Sequence, residues 1–129
     1  MKVLFVCIRN TARSVIAEAI FNSVAKKWIA ESAGIEKAEK VDERVTGFLA
    51  RKGLKAKEKP RSIEEVNLEN YDLIVTVCEE SSCFVLPTSK KTISWHIKDV
   101  AGKDFAEIEE AFEEIKVKVE ELVKELEGT

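Results

Sequence analysis

Hydrophobic residues recur along this chain in two rhythms. Short, nearly unbroken apolar runs occur at Val3-Leu4-Phe5-Val6 and from Leu73 to Val77, the second interrupted only by Thr76. Runs of that length and composition predict strands buried on both faces of a sheet. Ile29 to Ser32 and Lys91 to Trp95 predict shorter strands, with Ala33-Gly34-Ile35 as the turn leaving the first. Elsewhere the apolar positions fall at helical spacing. Ala17, Ile20, Phe21, Val24 and Trp28 predict a helix over 14–28. Val45, Phe48 and Leu49 predict a second, capped by Asp42, running to about Lys52 and stopped by Gly53. Phe105, Ile108, Phe112, Ile115, Val119, Leu122 and Leu126 form one stripe on a long helix over 104–127, a pattern of core packing rather than of a partner site.

Between these elements, Lys55 to Ser62 reads as a solvated, charged connector containing Pro60, and residues 79–86 as a helical turn ended by Pro87. Strands alternating with helices predict an α/β fold: one domain over residues 1–129, a three-layer sandwich with a four-stranded parallel sheet and helices on both faces. No internal repeat, linker or low-complexity tract interrupts it.

Charge narrows the partners. The net charge is −3, with basic and acidic residues interspersed, which argues against nucleic acid or an anionic membrane surface as the main partner. No apolar run approaches transmembrane length and no signal peptide precedes Val3, so a cytoplasmic location is expected. In that reducing compartment the 3 cysteines point to catalysis or redox chemistry rather than to structural bridges. The 35% charged content, rich in Lys and Glu, suits a heat-adapted source.

The chemistry concentrates at the end of the first strand. Val6-Cys7-Ile8-Arg9-Asn10-Thr11-Ala12-Arg13-Ser14 passes from strand through a polar turn into a helix, which puts Cys7 at a strand's carboxyl end. Ligands bind at that edge of open α/β sheets. The spacing Cys-x5-Arg-Ser lets backbone N–H groups converge on one point, backed by a helix N-terminus, as an anion nest. Arg13 adds a planar fork matched to a tetrahedral oxyanion. The same N–H groups and the Ser14 hydroxyl stabilise a thiolate at Cys7 and arm it as a nucleophile. The bland alternative is a buried, inert cysteine in an apolar strand.

With Ala17-Glu18 following, this motif resembles the signature of low-molecular-weight protein tyrosine phosphatases and their relatives, the thioredoxin-coupled arsenate reductases. The similarity continues through Ser32-Ala33-Gly34-Ile35, Asp42-x-Arg44 and Tyr71 to Cys78, and ends at Lys98-Asp99. It implies that the strand of Cys7 lies beside the one ending at Val77. Adjacent strands are about 4.8 Å apart, within reach of a disulfide's Cα separation of roughly 4.4–6.8 Å.

The resemblance also implies a division of labour. Phosphatases of the family usually carry an aspartate after that strand; the reductases carry a cysteine, and here the residue is Cys78. By that likeness Cys7 attacks arsenate held by residues Ile8, Arg9, Asn10, Thr11, Ala12, Arg13 and Ser14, and Asp99 donates a proton to the leaving oxygen. Cys78 then releases arsenite and forms a Cys7–Cys78 disulfide. Cys83 converts this to Cys78–Cys83, and thioredoxin or a similar dithiol protein reduces it. The alternative function is a phosphatase hydrolysing phosphomonoesters through a Cys7 phosphocysteine, and a third reading is a non-enzymatic anion-binding domain. A helical turn over 79–83 would have to loosen before Cys83 met Cys78, and the plain reading of Cys83 is a small core residue.

Some positions depart from the family pattern. Arg9 stands where the family usually has Gly, leaving Asn10 as the loop residue best able to take a left-handed conformation; Arg9 either adds anion attraction or points to solvent. Ala12 occupies a place that often holds a second cysteine. Asp99 is followed by Val100-Ala101-Gly102, without the usual proline or aromatic wall, which favours a small inorganic anion such as arsenate or phosphate. His96 beside Trp95 reads as structural. Some relatives bind potassium near this loop, and Asn10, Glu18 and Ser32 match them, but Arg61-Ser62 offers no acidic partner. No metal and no cofactor are therefore expected.

Overall fold

The computed structural model describes residues 1–79 and 83–128. Strands β1 (Lys2–Cys7), β2 (Ile29–Gly34), β3 (Leu73–Cys78) and β4 (Thr92–His96) form one parallel sheet in the order β2-β1-β3-β4. The helices are α1 (Arg13–Val24), α2 (Glu43–Arg51) and α3 (Phe105–Glu127). As the apolar runs predict, Val3, Leu4, Phe5 and Val6 of the central strand β1 are all 0% exposed. Burial of such side chains contributes roughly 1.5–3 kcal/mol each.

Alternation along the strands divides the core. Val3, Phe5, Leu73, Val75 and Val77 face all three α-helices, in one cluster with Ile16, Ile20, Phe48, Ile108 and Ile115. Leu4, Val6 and Ile74 face the other way and are covered by Tyr71 and Leu86, with Ile63, Val66 and Leu68 packed beside them. The second face thus carries two short 3-10 helices, Ile63–Glu65 and Leu68–Asn70. Among the described residues, no helix is long and apolar enough to cross a membrane.

Two element ends and one core position differ from the sequence pattern. Helix α1 ends at Val24 rather than at 28, because Ala25 turns extended and the N–H groups of Lys26, Lys27 and Trp28 all donate to the Glu127 carboxylate. Trp28 still packs against the core from that loop. Strand β2 runs on to Gly34, since its pairing with β1 continues to the Cys7–Gly34 step. Phe105, the first residue of the α3 stripe, is 38% exposed.

The connector over 55–62 is not a solvated loop. Ala56 and Ser62 are buried, Gly34 N–H donates to the Arg61 carbonyl at 2.7 Å, and Lys57 turns inward. The buried polar rim beneath the β1–α1 turn draws this charged segment in, because unpaired acceptors there would cost more than desolvating one lysine. The helical turn expected over 79–86 falls partly on residues 80–82, outside the described residues; Cys83 to Leu86 has no helical structure. The Asp42 cap is present: its carboxylate accepts from Arg44 N at 2.8 Å, and Gly53 stops α2 at φ 76°.

Candidate active site

The turn between β1 and α1 is held from outside by its carbonyls. Those of Cys7, Ile8 and Thr11 accept from the N–H groups of Ile35, Glu36 and Asp42 at 3.0, 2.7 and 3.1 Å. With these carbonyls drawn outward, the Asn10 N–H is left to face inward, toward the Cys7 sulfur. Asn10, and not the Arg9 that stands in place of the family's usual glycine, takes the turn's left-handed conformation, at φ 61°. Gly34 lies against the turn's outer side: a Cβ there would sit 2.5 Å from the Arg9 carbonyl carbon and 2.8 Å from Asn10 N. The turn can close this tightly only because position 34 has no side chain.

Cys7 sits at the centre, buried and unbonded to another sulfur. Ser14 Oγ lies 2.8 Å from its Sγ, and Asn10 N–H donates to it at 3.2 Å. Helix α1 begins immediately beyond, with no side chain capping its first turn and no acidic residue there. That end of the helix is open to an anion.

In front of Cys7 lies a cavity of about 400 Å³ whose near wall is Ile8, Arg9, Thr11, Ala12 and Arg13. Glu79, Asp99 and Ala101 form the far wall. The Arg13 guanidinium is buried; Nη1 donates to the Ile97 carbonyl at 3.0 Å, and Nε is 3.9 Å from Asp99 Oδ1. The ion pair and the Ile97 carbonyl lock the fork in place rather than spending its remaining donors. Asp99 is itself anchored, its N–H donating to Glu79 Oε1 and its Oδ1 accepting from Ala101 N. Among the described residues of the wall none is aromatic.

Of the loop residues expected to hold an anion, Asn10 and Ser14 act from behind. Both are 0% exposed. Asn10 Nδ2 donates to Ser14 Oγ and to Ser32 Oγ, and Ser32 Oγ donates on to Glu18 Oε1. Asn10 Oδ1 accepts from Lys57 Nζ at 2.8 Å and Arg61 N at 3.0 Å. Ser14 Oγ accepts from Asn10, and when Cys7 is a thiolate the Ser14 hydroxyl is the donor to its sulfur. Arg9 is exposed, lines the cavity and pairs with Glu36, its Nε 3.5 Å from Oε1.

Cys78 ends β3, the strand beside β1, and its sulfur is bonded to Cys83 with Cα atoms 5.2 Å apart. The helical turn expected over 79–83 lies mostly outside the described residues; Cys83 itself stands in irregular chain. His96, paired with Cys78 across β3 and β4, brings a ring nitrogen within 4.8 Å of both sulfurs. The sequence pattern singled out Cys7, Arg13, Asp99, Cys78 and Cys83; it missed Lys57, Gly34 and Glu79. Glu79 follows Cys78 directly and had a positional signal, whereas a lysine in a charged connector carries none.

A thiol cupped by backbone N–H groups, an arginine fork and a carboxylate across a small polar cavity can do oxyanion chemistry through a covalent sulfur adduct. A disulfide at the end of the neighbouring strand adds a two-electron store. Comparison with known proteins agrees with this composition. The chain is 64% identical to an arsenate reductase from Archaeoglobus fulgidus DSM 4304, whose crystal structure superposes with a TM-score of 0.91 over 94% of this chain and 98% of that one. It is 30% identical to an arsenate reductase of Staphylococcus aureus (strain Newman), over 92% of each chain. A thioredoxin-dependent arsenate reductase from Corynebacterium glutamicum is 26% identical with a TM-score of 0.76, matching 98% of this chain and 61% of that one. The sequence pattern of one family, low molecular weight phosphotyrosine protein phosphatase, matches residues 2–129, which is nearly the whole chain. The chain belongs to the low molecular weight phosphotyrosine protein phosphatase family.

Proposed function

We propose that this protein is an arsenate reductase working through a relay of Cys7, Cys78 and Cys83. The observation that carries the reading is the Cys78–Cys83 disulfide at the end of the strand adjoining the one that holds the free Cys7 thiol. Hydrolysis through Cys7 moves no electrons to or from a disulfide, whereas reduction of arsenate needs a two-electron donor. The arsenate reductases to which the chain is similar, one of them thioredoxin-dependent, support the substrate and the type of reductant.

In the first step Cys7 thiolate attacks arsenic, one oxygen leaves with a proton from Asp99, and a Cys7–S–arsenic adduct forms. Arg13 and the turn's N–H groups carry the oxyanion charge. Cys78 thiolate next attacks the Cys7 sulfur. The sulfur–arsenic bond breaks with its electron pair going to arsenic, so arsenic(V) leaves as arsenite and a Cys7–Cys78 disulfide remains. Cys83 thiolate then attacks Cys78, returning Cys7 as thiolate and leaving Cys78–Cys83. An external dithiol, thioredoxin or an equivalent, restores both thiols. A Cys78–Cys83 disulfide, with Cys78 not part of the cavity wall, is what the relay leaves before that last reduction.

The test is stoichiometry. Reduced protein given excess arsenate without a dithiol should yield about one arsenite per chain and stop, resuming when thioredoxin and its reductase are added. The second reading, phosphomonoester hydrolysis, rests on the same Cys7 cradle and the family to which the chain belongs. If it is the main activity, p-nitrophenyl phosphate is turned over repeatedly without reductant, arsenate is not reduced, and Cys78→Ser leaves the rate unchanged.

A further inference from the structure

The residue that holds the active-site turn from beneath is a lysine with no part in the relay. Lys57 is half-buried, and its ammonium donates to Asn10 Oδ1 at 2.8 Å, the Ser32 carbonyl at 2.9 Å and Ser32 Oγ at 3.3 Å. Glu18 lies on the far side of the Ser32 hydroxyl, 2.7 Å from it. Burial pushes the Lys57 ammonium below its usual range, opposed by the Glu18 charge; Arg61 pushes it down further, and the Glu31 and Cys7 charges oppose that. The charged neighbours therefore come from α1 (Glu18), β2 (Glu31), the connector (Arg61) and the end of β1 (Cys7).

All three atoms that receive this ammonium are oxygens, converging on one point under the left-handed Asn10. Hard cations are likewise held by oxygen ligands, though by more than these three. Here the charge arrives on a four-carbon tether instead. Its effect reaches the nucleophile in two links. It pins Asn10 Oδ1, which aims Asn10 Nδ2 at Ser14, and Ser14 Oγ in turn is held 2.8 Å from Cys7 Sγ, where it can donate to the thiolate.

We infer that Lys57 is a positioning residue acting as a tethered cation, and that its ammonium holds the oxyanion loop in its reactive shape. Removing the side chain should leave an oxygen-lined slot that a free potassium ion can fill. The inference deepens the proposed function, since the loop is the same, but it does not depend on arsenate being the substrate.

The test follows the reactivity of Cys7 with no arsenate present. Reduced wild type, K57A and K57M are treated with iodoacetamide at pH 7 in choline chloride or potassium chloride at equal ionic strength, and alkylation is read at the Cys7 peptide by mass spectrometry. Wild type should react equally in both salts. K57A should be about tenfold slower in choline, the scale of losing one charge from a partly buried network, and should return to within about twofold of wild type in potassium. K57M keeps the aliphatic stem in the slot and should stay slow in both salts, which guards against a result that reflects only a hole in the packing. K57A or K57M reacting at the wild-type rate in choline overturns the inference, and so does a slow K57A that potassium does not restore. Because no arsenate is added, failure of arsenate reduction would leave this result standing, and the reverse also holds.

Discussion

Ser14 Oγ stands 2.8 Å from Cys7 Sγ, and a donor behind it decides which way its hydrogen points. The Asn10 amide donates to the Ser14 oxygen at 2.8 Å, which leaves the hydroxyl proton to be donated to the sulfur once Cys7 is a thiolate. Ser14→Ala removes that donor without enlarging the cavity wall, of which Ser14 is not a part. A hydrogen bond to a charged group contributes roughly 1.5–3 kcal/mol, which translates to a loss of about 10- to 100-fold in the rate of adduct formation. Single-turnover arsenite release should show that loss, with thermal stability changed by much less.

Gly34→Ala tests the close approach. The added Cβ would meet the Arg9 carbonyl carbon at 2.5 Å and Asn10 N at 2.8 Å, both backbone atoms that have no room to rotate aside. Overpacking of this kind typically costs about 1–3 kcal/mol. The melting temperature should fall, and phosphate should protect Cys7 from alkylation poorly, because the displaced turn no longer aims its N–H groups at one point.

Much of this site was legible in the chain, and the part that was not has a common cause. Cys7, Arg13 and Ser14 lie on one contiguous strand–turn–helix, so their meeting needs only local geometry. A parallel sheet brings strand carboxyl ends to one edge, but that the strand of Cys78 adjoins that of Cys7 follows from the family resemblance, and the sheet order agrees. Lys57 and Gly34 act across long separations: Lys57 reaches Asn10 over 47 positions, and Gly34 matters only through the backbone of Arg9. No periodicity announces such contacts. The stretch over 55–62 reads as solvated because charged residues usually are, and it is drawn inward here by acceptors on residues far away in sequence. The end of α1 was misjudged for a similar reason, as Glu127 takes up the N–H groups of residues 26–28 from the opposite end of the chain.

Glu31 gives the pH dependence. Burial disfavours its charge, but hydrogen bonds from Tyr71, Arg61 and Lys2 win and hold its carboxyl down to about 2 from an ordinary 4.5. Its folded value lies below its unfolded one, so its contribution is complete above about pH 4.5 and is lost as pH falls toward 2. Partial exposure reduces that contribution to about 1–2 kcal/mol. Chemical denaturation of Glu31→Gln against wild type should show a gap at pH 7 that narrows steadily from about pH 5 downward.

The relay is tested most directly by the disulfide left in Cys83→Ser after one equivalent of arsenate. Reduced variant is mixed with arsenate, quenched with acid, alkylated and mapped by mass spectrometry. The account predicts one arsenite released, a loss of two protons and a trapped Cys7–Cys78 linkage, where wild type ends as Cys78–Cys83. Free thiols at both Cys7 and Cys78, with arsenate recovered unchanged, would contradict it.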